Sequence, residues 1–210
     1  MDWRSHLTSS LAATSDRPPR PLASLGLPPE GRHLLDNDKL AALRPAAVLV
    51  PVVPVVSAGD DPGVLLTVRS HRLRKHAGQI SFPGGSADPG DRGPLHTALR
   101  ESHEEIALPR DRVEVLGYLD DYPTMTGFRV TPVVGVVEDT AAVRPDGVEV
   151  AEIFEVPLSF VLDPGSYERR HLERGGVRLP YWGLTWGDRF IWGATAAMLR
   201  DLMLKVRGRG

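Results

Sequence analysis
The chain has 210 residues, of which 41% are hydrophobic and 25% charged, enough for one domain with extensions and a core that needs no covalent staples. Its 25 Lys and Arg against 27 Asp and Glu leave a net charge of -2, too weak a field to gather nucleic acid or acidic membrane. The absence of cysteine excludes disulfides, thiolate zinc sites, iron–sulfur clusters and cysteine nucleophiles, so any metal must rest on carboxylate or imidazole.

The opening Met1-Asp2-Trp3-Arg4-Ser5-His6 lacks the apolar stretch of a signal peptide, and a cytoplasmic protein is expected. Trp3, Leu7 and Leu11 have the spacing of a short amphipathic helix, after which Pro18, Pro19, Pro21, Pro28 and Pro29 interrupt any regular element. Residues 1–30 therefore read as a proline-rich arm and 31–210 as the domain. Leu34 to Leu43 has helical spacing and stops before Pro45. The apolar run from Ala46 to Val56 is too short to span a membrane. From Ala47 to Val56 it predicts a strand whose Pro51 and Pro54 cannot donate to a ladder, hence an edge strand or a bulge. Further strands are predicted at Val64–Arg69, Gln79–Phe82, Val113–Leu119, Phe128–Val137 and Glu152–Val156. A hairpin over Leu184–Ile191 turns at Gly187-Asp188, and helices are expected at Pro94–Leu108 and Ala194–Val206. The class is α/β or α+β with a mixed sheet.

The 94–108 helix carries the chemistry. At about 100° per residue, Leu95, Ala98, Leu99, Ser102 and Ile106 form one stripe, and Glu101, Glu104 and Glu105 gather on a neighbouring face. Like charges so spaced repel unless a cation offsets them, and oxygen ligands of this kind suit Mg²⁺. Arg100 is placed to brace Glu104. Before the helix, Phe82-Pro83-Gly84-Gly85 ends a strand in paired glycines, where backbone can approach a ligand closely. Asp88 and Asp91 follow, the latter near enough to the helix start to complement its dipole or join a metal shell. Arg69, Arg72, Arg74 and Lys75 surround one strand end, and guanidinium groups bind phosphates in a bidentate fork. The seven histidines have no metal-ligand spacing, and His103 reads as a helix-surface residue. Tyr181, Trp182, Trp186, Phe190 and Trp192 either stack on a base or pack in a hairpin. The loop Asp120–Gly127 is of the sort that lines a site.

The run from Gly85 through Arg100-Glu101-Ser102-His103-Glu104-Glu105-Ile106-Ala107-Leu108 resembles the Nudix box. Leu65-Leu66-Thr67-Val68-Arg69-Ser70, Arg74, Gly78 and Phe82-Pro83-Gly84-Gly85 are similar to the additional motif of the coenzyme A diphosphatases of that family. Ile191-Trp192-Gly193-Ala194-Thr195-Ala196 also looks like these enzymes. Two departures stand out. The interval from Gly85 to Arg100 is one residue longer than the general pattern and lacks its mid-loop glutamate. Ala107 replaces a glycine, and the helix is expected to run on to Leu108 and stop at Pro109.

The resemblance implies an α/β/α sandwich that hydrolyses the diphosphate of coenzyme A or its acyl derivatives to 3′,5′-ADP and 4′-phosphopantetheine. It implies Mg²⁺ or Mn²⁺ on Glu101, Glu104 and Glu105, with Arg100 orienting the carboxylates. Gly84 and Gly85 would admit the phosphates, and Arg69 and Arg74 would orient the substrate. A remote base would come from Glu149, Glu152 or Glu155. The expected partner is a small molecule, with no nucleic acid and no membrane. The alternatives are hydrolysis of a nicotinamide dinucleotide or nucleotide sugar, and a silent Nudix module that binds without turnover.

Overall fold
The computed structural model describes residues 2–18, 20–25, 36–54, 61–73 and 76–208. In chain order the first elements are α1 (Trp3–Leu11), α2 (Asn37–Ala41), β1 (Arg44–Val53), β2 (Gly63–Arg69), β3 (Ile80–Ser81) and β4 (Gly84–Ser86). Then come α3 (Pro94–Ile106), β5 (Val113–Tyr118), β6 (Tyr122–Pro123), β7 (Phe128–Val137) and β8 (Val150–Pro157). The chain ends with α4 (Leu158–Val161), β9 (Glu168–Arg174), β10 (Val177–Trp186), β11 (Arg189–Trp192) and α5 (Gly193–Val206). The helix expected over 34–43 is shorter, capped by the Asp36 side chain on the Lys39 N–H; residues 34 and 35 lie outside the described residues. Among the described residues no helix is long and apolar enough to cross a membrane.

The valine-rich strand is central, not an edge. β1 runs parallel to β7 from Arg44↔Phe128 to Val52↔Val136. Its other side pairs antiparallel first with β4, through Val48↔Gly84, and then with β2, through Val52↔Val64. The Leu49 N–H reaches Pro83 O on that side at 2.9 Å, and strand alternation points Pro51 N the same way. Pro51 thus falls in the gap between the two partners, where no ladder bond is missed. β2 also pairs with β3 and β8, and β7 with β5 and β6, completing a mixed sheet.

Alternation along β1 feeds two cores. Ala47, Leu49 and Val53 pack with Val133, Val137, Ala98 and Ile106 under α3. Ala46, Val50 and Val52 pack with Val134, Leu7, Leu199 and Leu202 beneath α1 and α5. The result is an α/β/α sandwich. The N-terminal arm is docked over its described part, since Leu7 and Leu11 are buried where α1 meets α5 and β5. A second sheet, β11-β10-β9, includes the expected hairpin, with Gly187 at φ +60° in its turn. Its outer strand Glu-Arg-Arg-His-Leu-Glu-Arg has no apolar alternation to announce it.

Candidate active site
The paired glycines bring β4 between β1 and the acidic helix. Gly84 has φ +149°, and a Cβ there would lie 2.4 Å from Ala47 O and 2.5 Å from Val48 Cα, so only glycine permits this approach. Its N–H donates to Glu105 Oε2 at 2.9 Å. A Cβ on Gly85 would lie 2.6 Å from the Glu101 carboxyl carbon. Both glycines therefore have a steric reason that involves the chain itself.

The three glutamates occupy a gradient of environments. Glu105 is 5% exposed, and burial is the main reason its carboxyl is pushed up to about 7. The Gly84 N–H and Arg69 oppose that rise, while Glu101 and Glu149 add to it. Glu101 is half-buried and also raised, chiefly by burial and against the pull of Arg100. The Glu104 side chain is 56% exposed. The glutamates do share the face next to the packing stripe, but they are not equally anionic or exposed there, since Glu105 is buried and Glu104 is not.

Arg100 ties the cluster together. Its Nη1 donates to Glu101 Oε1 at 2.9 Å and to Glu104 Oε2 at 3.1 Å. Its Nε and Nη2 grip Asp91 at 3.1 and 2.9 Å, and Nη2 also bonds Ser86 O at 3.0 Å. Asp91, buried in the loop, further accepts from the Thr97 hydroxyl at 2.8 Å and contacts His96 Nδ1 at 2.7 Å. The Arg100 guanidinium foremost holds the Asp91 carboxyl far below the usual range. Asp91 is thus the anchor of Arg100, a role that His96 and Thr97 hint at in the sequence only once the loop is folded. Asp88 stands 3.6 Å from Arg100 on the exposed side.

Arg69 lies across from the helix, its Nη1 3.8 Å from Glu105 Oε1 and its Nη2 3.5 Å from Glu149 Oε2. Of the three later glutamates, Glu149 is the one drawn to this cluster. Glu152 instead pairs with Arg189 at 2.5 Å, and Glu155 sits opposite Leu65 farther along β8. Arg74 and Lys75 lie outside the described residues. Among the described residues, no three His, Asp or Glu side chains are already drawn together at metal-ligating spacing. Arg100 and the Gly84 N–H hold the carboxylate oxygens instead.

The end of α3 departs from expectation. The helix stops at Ile106 and Ala107 takes φ +54°. Its N–H bonds His103 O at 3.0 Å, and the Leu108 N–H bonds Ser102 O at 3.4 Å. This left-handed cap is what a glycine would make without strain. His103 is exposed on the helix surface, as its position in the sequence indicates.

Beside the glycines opens a cavity of about 600 Å³. Val48, Ile80, Phe82, Phe128 and Met198 make it apolar, and Arg69, His76 and Arg174 bring cationic or titratable groups to it. Tyr181 and Trp192 face it in an edge contact, centroids 5.6 Å apart. Trp186 packs on Phe160 at 4.9 Å and Phe190 lies under Arg170 at 4.3 Å, so the aromatic set divides between cavity and packing. Tyr122, Thr124 and Met125 of the 120–127 loop also line the cavity.

The Nudix domain family profile matches residues 47–172. The chain belongs to the Nudix family. Among similar proteins, the Citrobacter koseri protein named uncharacterized Nudix hydrolase NudL is 46% identical over 171 residues, 81% of this chain and 86% of that one. The Escherichia coli K12 protein of the same name is 43% identical, covering 78% and 83%. Similar solved structures include the M. smegmatis Nudix hydrolase RenU, with 25% identity, a TM-score of 0.46 and 58% and 78% of the two chains covered. Another is the Shewanella oneidensis NrtR Nudix domain complexed with ADP ribose, with 22% identity, a TM-score of 0.44 and 63% and 84% covered. This Nudix chain is thereby a hydrolase of phosphoanhydride bonds.

Proposed function
We propose that this Nudix hydrolase cleaves the diphosphate of coenzyme A or its acyl derivatives, giving 3′,5′-ADP and 4′-phosphopantetheine or the acylated form. The supporting observation is the junction of an acidic cluster with a largely apolar cavity of about 600 Å³ at Gly84 and Gly85. A pantetheine arm, with its gem-dimethyl and methylene groups between two amides, suits such walls better than the hydroxyl-rich second half of a nucleotide sugar. The proposed catalytic domain is 31–210, preceded by an arm over 1–30 whose α1 packs against α5 and β5, in the cytoplasm.

Glu101, Glu104 and Glu105 are the proposed holders of Mg²⁺ or Mn²⁺. Their hard oxygens fit such an ion; burial raises both Glu101 and Glu105, and the charges of Glu104 and Glu149 on the first and of Glu101 and Glu149 on the second add to the rise, a crowding a divalent cation relieves. When bound, the ion supplies charge neutralisation on the diphosphate and a more acidic water. Arg100 fixes the rotamers of Glu101 and Glu104, and the Gly84 N–H fixes that of Glu105. Arg69 and Arg74 orient the substrate's phosphates in this reading, and Glu149 is the favoured proton acceptor from the attacking water. Product analysis tests the proposal: intact coenzyme A incubated with Mg²⁺ should yield 3′,5′-ADP. Faster turnover of NADH or a nucleotide sugar would favour another Nudix substrate, and binding without turnover in either metal would favour a silent module.

A further inference from the structure
Asp120 and Asp121 are adjacent, and both are buried. Each takes its cation from a distant part of the chain. Arg20 Nε lies 2.6 Å from Asp121 Oδ1, and Lys205 Nζ lies 2.7 Å from Asp120 Oδ1. Around the first pair, Arg20 Nη2 donates to Leu119 O at 2.7 Å and the Thr131 hydroxyl donates to Asp121 Oδ1 at 2.8 Å. The Asp121 N–H bonds Pro21 O at 2.8 Å and the Ala23 N–H bonds Asp121 O at 2.9 Å, a parallel bridge centred on Leu22. Around the second, Asp201 Oδ2 accepts the Asp120 N–H at 2.9 Å. Arg20 and Lys205 both lie outside the 47–172 match.

Burying two ion pairs at the root of one loop is costly unless each is fully bonded, and a loop that merely joins strands has no need of it. What these pairs hold is the cavity wall. Two residues beyond the bridge, Ser24 and Leu25 line the same cavity as Tyr122, Thr124 and Met125. We infer that Arg20, acting through Asp121, is a positioning residue that clasps the N-terminal arm to the 120–127 loop. The two then form one wall against the non-reacting part of the substrate. The inference rests on the reading of this cavity as the substrate site. A wall that touches only the non-reacting part binds ground and transition states alike, so loosening it raises KM and spares kcat.

The test assays the wild type, L25A and R20K with Mg²⁺ on coenzyme A, NADH, ADP-ribose and UDP-glucose, then compares constants on whichever the wild type turns over. R20A would leave Asp121 buried without a cation, so the lysine variant keeps the charge and removes the reach to Leu119 O. Losing a half-buried leucine contact should raise KM in L25A about tenfold, with kcat within about twofold of wild type. R20K should show the same split, with faster amide exchange over 122–126. A wild-type KM in R20K, or a fall in kcat that follows the thermal midpoint while KM stays constant, would overturn the clasp. A best substrate other than coenzyme A would defeat the proposed function and leave the clasp to be judged on that substrate.

Discussion

Glu105→Gln separates the folding energetics of the site from its chemistry. Holding a carboxyl at about 7 in the folded chain against an ordinary 4.5 means that the ionised form is disfavoured by about 3 kcal/mol. Below pH 4.5 the group is protonated folded or unfolded, and folding carries no such cost. As pH rises from 4.5 through 7 the unfolded chain releases the proton first, so the metal-free protein loses stability across that window, and above it the whole cost applies. Glutamine keeps an oxygen for the Gly84 N–H and carries no charge to desolvate. In EDTA at pH 8 the variant should be more stable than wild type by about 2–3 kcal/mol, or about 5–10 °C in thermal midpoint. At pH 5 the difference should shrink below about 1 kcal/mol. Turnover should nonetheless fall by orders of magnitude if Glu105 is a metal ligand. Urea unfolding at the two pH values and an assay at saturating Mg²⁺ read both effects. A variant no more stable than wild type at pH 8, or equally advantaged at pH 5, would refute the assignment of burial as the cause.

Ala107→Gly should raise stability by about 1 kcal/mol by removing the left-handed penalty at φ +54°; an unchanged or lower thermal midpoint would count against strain at that cap. Gly85→Ala places a Cβ 2.6 Å from the Glu101 carboxyl carbon, and displacing that group by about 1 Å should cost about a hundredfold in kcat with circular dichroism unchanged. Asp91→Asn breaks the buried anchor of Arg100 and should cost about 3 kcal/mol at pH 7. Because the Asp91 carboxyl is depressed in the folded chain, the wild type should lose this advantage as pH falls below about 4, whereas the variant should lack that acid-side slope. Parallel acid titrations of wild type and variant check this, and equal slopes below about pH 4 would show the reasoning wrong.

Local rules made part of this molecule legible. The 3.6-residue stripe gives α3, the strand pattern over Phe128–Val137 gives β7, and the paired glycines announce a close backbone approach because no other residue tolerates one. What the sequence hid depends on partners remote along the chain. Pro51 argues for an edge strand until β4 and β2 are seen to leave a gap opposite it. Periodicity groups Glu105 with Glu101 and Glu104 on one anionic face, whereas β4 covers part of that face and buries Glu105. Asp121 is 101 positions from Arg20, and no local pattern joins them. β9 escaped notice since its charged side chains leave no alternation to follow. Ala107 shows the reverse error: the missing glycine suggested a longer helix, yet the Leu108 N–H to Ser102 O bond keeps the left-handed turn and makes alanine bear it.

The gradient from Glu105 through Glu101 to Glu104 has an electrostatic consequence for the proposed reaction. Glu101, Glu104, Glu105, Glu149, Asp88 and Asp91 crowd around Arg69 and Arg100, the latter already shared among Asp91, Glu101 and Glu104. A diphosphate brought to Gly84 and Gly85 without a counter-ion would meet more negative than positive charge, and the burial that lifts Glu105 also strengthens that repulsion. Arg69 cannot offset it alone, since its two ends already face Glu105 and Glu149. In the proposed mechanism the divalent ion is therefore needed for the diphosphate to bind as well as for its hydrolysis, and the arginines act by placing charges that the ion balances.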